Sequence, residues 1–260
     1  MEEKIINLYK GKVKIKFITD HADTHRYYDE KGNKLNGVTY FTSVIDKSEI
    51  MKAWAVKMMG DYLKQNWDIN KIKREEDKNR LIELGKIEYK NIQKEAKDIG
   101  REIHKWIEIW IKNQDIEMPN IPEVRNGAIA FLDFQSKMKV KWLDSERVVY
   151  SRKYKYTGTM DALGRIGKDL VLFDFKTSKP SSYSPDGVYP EHSLQAAGYQ
   201  LAWEEETKKK IDYRMIITLD KETGEPRHRV FEENQKDKEA FLACVELRRR
   251  LNELKSAGQV

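Results

Sequence analysis

The hydrophobic and polar positions change period several times along the chain, and those changes divide it. Val13, Ile15 and Phe17 alternate with Lys14 and Lys16, the two-residue repeat of a half-buried strand. Turn residues follow at Asp29-Glu30-Lys31-Gly32-Asn33, then a run rich in β-branched residues from Val38 to Val44. The pattern predicts a small N-terminal hairpin. From Asp46 the repeat becomes helical. Ile50, Trp54, Met58 and Tyr62 recur at four-residue steps beside Met51, Ala55, Met59 and Leu63, with Asp46 placed as N-cap. Residues 68–113 continue helical, charged and free of proline, with Gly85 and Gly100 as the only punctuation. Pro119 and Pro122 close that block, and residues 123–138 predict another helix.

The character then shifts. Glu146 to Tyr156, Gly158 to Ile166 and Leu170 to Lys176 are three short β-type runs separated by glycine or polar turns. A loop containing Pro180, Pro185, Gly187 and Pro190 leads to a helix from about Glu191 to Thr207. Strands near 211–219 and 227–232 and a closing helix near 237–256 complete the chain. Helix, three-strand meander, helix, strand implies an α/β sandwich with a mixed sheet, expected over residues 99–260, while residues 1–98 form a hairpin and a helical elaboration.

Composition narrows this picture. A chain of 260 residues is long enough to bury a proper core. No run of about 18 apolar residues exists, so no membrane span is expected. The opening residues lack the apolar stretch and cleavage site of a signal peptide, and a cytoplasmic setting is the expectation. The single Cys244 excludes an internal disulfide framework, a four-cysteine zinc site and an iron–sulfur cluster held by one chain. The net charge of +6 is mild, but from Lys137 to Lys155 seven cations face two carboxylates, a local net of +5. Such a stretch reads either as an edge strand protected by charge or as a phosphate-binding surface, with Lys153 and Lys155 among its cations. Trp106, Trp110 and Trp142 offer faces for stacking bases, although helical spacing equally places Trp106 and Trp110 in a core.

The densest chemistry lies in Val171-Leu172-Phe173-Asp174-Phe175-Lys176. The run reads as a buried strand, and period two sets Asp174 and Lys176 on one face with Phe173 and Phe175 on the other. Opposite charges buried in a strand need partners to offset desolvation. One account is a structural ion pair. The other brings in Asp161, at the head of the preceding strand in Gly158-Thr159-Met160-Asp161, which a hairpin through Gly164 to Lys168 would place beside Asp174. Two carboxylates converging next to a lysine suit a hard divalent cation better than a core. Gln195 and Tyr199 stand four apart on the next helix and share a face, and His104 is flanked at four-residue steps by Gly100 and Glu108.

In this order, Gly100 to His104, Gly158 to Asp161, Asp174-Phe175-Lys176-Thr177-Ser178 and Gln195 to Tyr199, the sequence resembles the RecB-like exonucleases of the PD-(D/E)XK nuclease superfamily, including phage-encoded members and the mitochondrial genome maintenance exonuclease. The resemblance runs over residues 100–220 and implies a PD-(D/E)XK core. It implies that Asp161 and Asp174 ligate Mg²⁺ or Mn²⁺ with the backbone carbonyl of Phe175, and that His104 assists the metal or contacts the cleaved strand. Lys176 would orient and help deprotonate the attacking water. Gln195 and Tyr199 would position the DNA, with Thr177 and Ser178 beside them, while Lys153 and Lys155 are expected to contact DNA on the ground of their charge. Glu146 matches an acidic position of several relatives and, with Glu108, would play a supporting part. Asp174 stands where much of the superfamily has Glu, and the cluster-bearing branch is excluded by the cysteine count. The implied partners are single-stranded DNA or duplex ends and a recombination or single-strand-binding protein, in phage or bacterial recombination, repair or replication. A structure-specific endonuclease and an inactive DNA-binding module stay open beside the exonuclease.

Overall fold

The computed structural model describes residues 2–20, 25–68, 71–113, 115–181 and 184–259. They divide into two compact units, Met1–Ile45 with Ile103–Val260, and Asp46–Glu102. The change of unit near residue 102 falls within a continuous helix, and the first 45 residues go with the sheet-containing unit rather than with the helices that follow them.

In the larger unit, β1 (Glu2–Leu8), β2 (Val13–Thr19), β3 (His25–Tyr28) and β4 (Lys34–Leu35) form an antiparallel sheet in chain order. The alternation at Val13 to Phe17 is therefore a strand, but its partners are β1 and β3, not residues 38–44. Those residues instead begin with helix α1 (Val38–Thr42). Burial overrides β-propensity here: Val38 and Phe41, three apart on one helical face, both enter the main core. The turn at Asp29–Asn33 is as its residues suggest, since the Asp29 carboxylate accepts from the backbone N–H of Lys31 and Asn33.

The second sheet has the order β5 (Lys141–Ser151), β6 (Tyr156–Ile166), β7 (Asp169–Lys176), β8 (Tyr213–Leu219), β9 (Pro226–Phe231). Only the β7–β8 pair is parallel. Its crossover is α5 (Pro190–Thr207), as a parallel connection requires. Period two then sorts β7 between two cores. Leu172 packs with Ala196, Tyr199 and Trp203 of α5 and Phe241 of α6 (Asn234–Ser256). Phe173 and Phe175 meet Phe134 and Phe131 of α4 (Pro122–Met138), with Trp142 of β5 against both. The three tryptophans belong to this second layer. Trp106 is stacked on Trp110, and Trp110 and Trp142 both donate to Gln135 Oε1. They are packing residues.

The smaller unit holds α2 (Ser48–Asn66) and the start of α3 (Glu75–Asn113). Lys47, not Asp46, is the N-cap of α2, although Asp46 accepts from the Ser48 N–H at 2.8 Å and satisfies an end group from one position earlier. Gly85 and Gly100 do not interrupt α3; Gly85 lies under Met59, Tyr62 and Leu63 of α2. Among the described residues, no helix is long and apolar enough to cross a membrane.

Candidate active site

The sheet opens where the acidic residues lie. The β5–β6 pairing runs through Ser145 and Ala162, then resumes at Arg147 and Met160, skipping Glu146 and Asp161. Glu146 sits at φ 48°, a left-handed conformation that an L-residue adopts at a cost of about 1–2 kcal/mol. The β6–β7 pairing stops at Ala162 and Phe173, one step before Asp161 and Asp174. Freed from the ladder, the Phe175 N–H donates to Asp161 Oδ2 at 2.7 Å. Local distortion of this kind concentrates at sites where a side chain must be re-aimed.

Three groups converge as a result. Ligating atoms of His104, Glu146 and Asp161 all lie within 4.8 Å of one another, and each residue is half-buried. His104 Nδ1 is 3.9 Å from Glu146 Oε1 and 3.8 Å from Asp161 Oδ2. Asp174, next to them on β7, is completely buried, and Lys176 Nζ lies 2.6 Å from its Oδ2. That ion pair gives the Asp174 carboxylate its one close partner, and its Oδ1 has no hydrogen-bond donor among the described residues.

Electrostatics describe a site crowded with negative charge. Burial, reinforced by the Asp161 charge and opposed by Lys176, pushes the Asp174 carboxyl up to about 6. Burial also raises Asp161 against the pull of His104 and Lys176. For the two bases burial works against the charged form, yet the carboxylates outweigh it. His104 is held above its usual range by Asp161 and then Glu146, and Lys176 by Asp174 and then Asp161.

These residues fit a divalent cation. Two half-buried carboxylates and one imidazole converge, with the buried Asp174 carboxylate beside them, and such an oxygen-rich set suits Mg²⁺ or Mn²⁺ rather than a thiolate-seeking metal. Glu146 enters this set as fully as Asp161. Sequence gave it less weight because strand alternation carries no sign of a left-handed residue.

Around the set, the structure gathers some of the expected residues and not others. Gln195 Nε2 donates to the Tyr199 hydroxyl at 2.9 Å, and the Tyr199 ring lies over Gly158 on β6. Ser178 Oγ donates to the Gly187 carbonyl, fastening the segment after Lys176 and Thr177. Glu108 pairs with Lys112 along α3, not with His104. Lys153 and Lys155 lie in the β5–β6 turn, the far end of the hairpin from Glu146 and Asp161. One neighbour had no signal in the sequence. Tyr27, from the N-terminal sheet, hydrogen-bonds Thr159 at 2.8 Å, two residues before Asp161, and its contact depends on tertiary folding alone.

Gly158 is required by a close approach. A Cβ there would stand 2.6 Å from Tyr199 Cε1. Gly158→Ala should displace that ring, lower stability by about 1–3 kcal/mol in urea titration and reduce activity; unchanged values would remove Tyr199 from the support of the site.

A sequence profile described as the PD-(D/E)XK nuclease superfamily matches residues 123–259, just over half of the chain. The chain belongs to the PD-(D/E)XK nuclease superfamily. Glu146, Asp161, Asp174, Lys176, Gln195 and Tyr199 fall inside the match, and His104 lies before it. Nucleases of this superfamily use divalent metals, in keeping with the donor set. Among solved structures, the chain is similar to a candidate exonuclease from Eubacterium rectale, at 14% identity and TM-score 0.42, over 62% of this chain and 69% of that one. It is also similar to an alkaline exonuclease from Laribacter hongkongensis, at 12% identity and TM-score 0.37, over 87% of this chain and 95% of that one. Likenesses this loose add nothing to the family assignment, which rests on the profile. No curated protein sequence matches the chain.

Proposed function

We propose that this chain is a metal-dependent deoxyribonuclease, using Mg²⁺ or Mn²⁺ to remove nucleotides from single-stranded DNA or duplex ends. The observation that carries it is the convergence of His104, Glu146 and Asp161, with the buried Asp174–Lys176 pair beside them on β7. Membership of the superfamily supplies phosphodiester hydrolysis, and the motif order from Gly100 to Tyr199 supports the RecB-like, exonucleolytic form of it. The same resemblance supports a bacterial or phage-infected cytoplasm, a part in recombination, repair or replication, and a single-strand-binding or recombination protein as partner.

In this reading, Asp161, Asp174, Glu146 and His104 hold the metal, together with the carbonyl of Phe175. Bound there, the cation lowers the pKa of a water and stabilises the leaving oxygen. Lys176 holds positive charge where the attacked phosphate gains negative charge. Gln195 and Tyr199 fix the α5 side of the site by their mutual hydrogen bond, and Thr177 and Ser178 lie on the segment leaving β7, where a DNA strand would pass.

End-labelled single- and double-stranded DNA should be degraded with Mg²⁺ or Mn²⁺ and spared with EDTA. Closed single-stranded circles should survive; their cleavage would replace the exonuclease with an endonuclease. Binding also has a thermal readout independent of DNA. At a hundredfold excess over Kd, either metal should stabilise the protein by about 2.7 kcal/mol. A melting temperature indifferent to both metals would sink the proposed centre.

A further inference from the structure

A concavity of about 540 Å³ opens at the far end of the β5–β6 hairpin and takes no part in the site described above. Three segments remote in sequence line it. Lys10 and Lys12 come from the β1–β2 turn, Arg152, Lys153 and Lys155 from the β5–β6 turn, and Lys208 from the end of α5. We propose that this basic concavity is a second nucleic-acid site, which grips the phosphate backbone of DNA at a distance from the cleaved bond. The proposal deepens the deoxyribonuclease reading and rests on it for the identity of the polyanion.

Four observations carry it. Lys10, Lys12, Lys155 and Lys208 are exposed and have no carboxylate partner among the described residues, so their charge is available. The two acids in the lining are engaged in holding the turns. Glu205 accepts from the backbone N–H of Arg152 and Lys153 at 3.0 and 3.1 Å. Glu206 accepts from the Tyr9 N–H at 3.1 Å and pairs with Arg147 at 3.3 Å.

The backbone supplies the third. Six non-glycine residues adopt positive φ among those described, and four of them, Tyr9, Lys10, Lys155 and Lys208, belong to this lining. Glycine would be less strained at every one. Three of the four are lysines instead, which is strain accepted in exchange for charge. Finally, a cation meets a ring within the lining, where Arg152 lies over Tyr9 at 5.5 Å, and Lys153 lies over Tyr154 just outside it at 4.9 Å. Phosphate-binding cations interleaved with aromatic faces suit a nucleic-acid strand better than a plain acidic surface.

The separation sets what such a site does. From Asp161 to Lys155 is six residues of chain, about 20 Å at strand rise. A DNA strand spans that in about six phosphates of duplex spacing. The concavity would therefore act on long substrates and not on short ones.

The test uses the full chain carrying Lys10→Gly, Lys155→Gly and Lys208→Gly. Glycine relieves the backbone, so the variant should melt at the same temperature or higher while losing affinity for DNA, an outcome that a purely structural role would not give. In EDTA, anisotropy with a single strand of roughly 30 nucleotides should show a salt slope smaller by about 2–3. With Mn²⁺, the preference in kcat/KM for that strand over one of roughly four nucleotides should fall about tenfold, following the lost phosphate contacts. Wild type that digests DNA beside a variant with unchanged slope and length preference would overturn the second site and leave the nuclease reading standing. Wild type that binds without digesting, with the slope still lowered in the variant, would overturn the nuclease reading and leave the site. Loss confined to polyglutamate binding would overturn the site in favour of an acidic protein partner. If the triple variant fails to fold, Lys12→Ala with Arg152→Ala gives the same readouts, with a slope change of about 1–2.

Discussion

Replacing Asp174 by asparagine is expected to lower nuclease turnover by about a thousandfold or more, and to erase the thermal shift produced by Mg²⁺ or Mn²⁺. The substitution keeps size and shape in a completely buried position, so the loss reports charge and ligation rather than packing. Two carboxylates, Asp174 and Asp161, crowd a buried site that holds Lys176 as the close ammonium, and a second cation would offset the remaining cost. Removing that ligand forfeits several kcal/mol of transition-state stabilisation, and each 1.36 kcal/mol is tenfold in rate. A pH signature accompanies it. Burial first, then Asp161, push the Asp174 carboxyl up to about 6 against the pull of Lys176. The group must be ionised to ligate, so metal uptake by the wild type should strengthen as pH rises through that value and weaken below it. Turnover of the asparagine variant within about tenfold of wild type would rule out Asp174 as a ligand.

How far the site was legible depended on which residues obey a simple period. Asp174, Lys176 and their phenylalanine neighbours lie on a strand with unbroken alternation, and the two faces sort as period two requires. Gln195 and Tyr199, at helical spacing, meet for the same reason. Glu146 was legible only as one more acidic residue, because the left-handed backbone that sits beside Asp161 leaves no mark in a local pattern. Val38 to Thr42 escaped because core burial of Val38 and Phe41 outweighs a β-type composition. The basic run from Lys137 to Lys155 was legible as charge but not as direction. Its last members lie in a turn about 20 Å along the strands from Asp161, so charge that adjoins the acidic motif in sequence is delivered elsewhere in space. Tyr27 shows the remaining limit, because its contact with Thr159 joins residues 132 apart and no local pattern encodes such a pair.

Lys176→Met is expected to separate chemistry from metal binding. Lys176 Nζ stands 2.6 Å from Asp174 Oδ2 at the end of β7, two residues beyond the carboxylate it faces. Burial alone would discharge it, but Asp174 and then Asp161 keep its ammonium form favoured. Lys176 is thus the counter-ion of Asp174. A cation held by those carboxylates would weaken their hold on the ammonium, leaving Lys176 able to give up a proton or to direct a water to phosphorus. Methionine keeps an unbranched apolar stem, one atom shorter, while deleting charge and proton. The loss of a positioned proton-transfer group predicts a kcat lower by about 10²–10⁴ with KM little changed. The thermal shift with Mn²⁺ should persist, and even grow, because a positive charge beside the cation has been removed. That pattern, kcat lost and metal response kept, is the reverse of the one expected for Asp174→Asn, where both vanish. Lys176→Arg decides between the two parts assigned to the lysine. Substantial recovery with arginine would mean that Lys176 serves as fixed positive charge, since a guanidinium does not deprotonate in this range. No recovery would assign it the proton. A methionine variant with wild-type kcat would remove Lys176 from the chemistry and leave it the counter-ion of Asp174 alone.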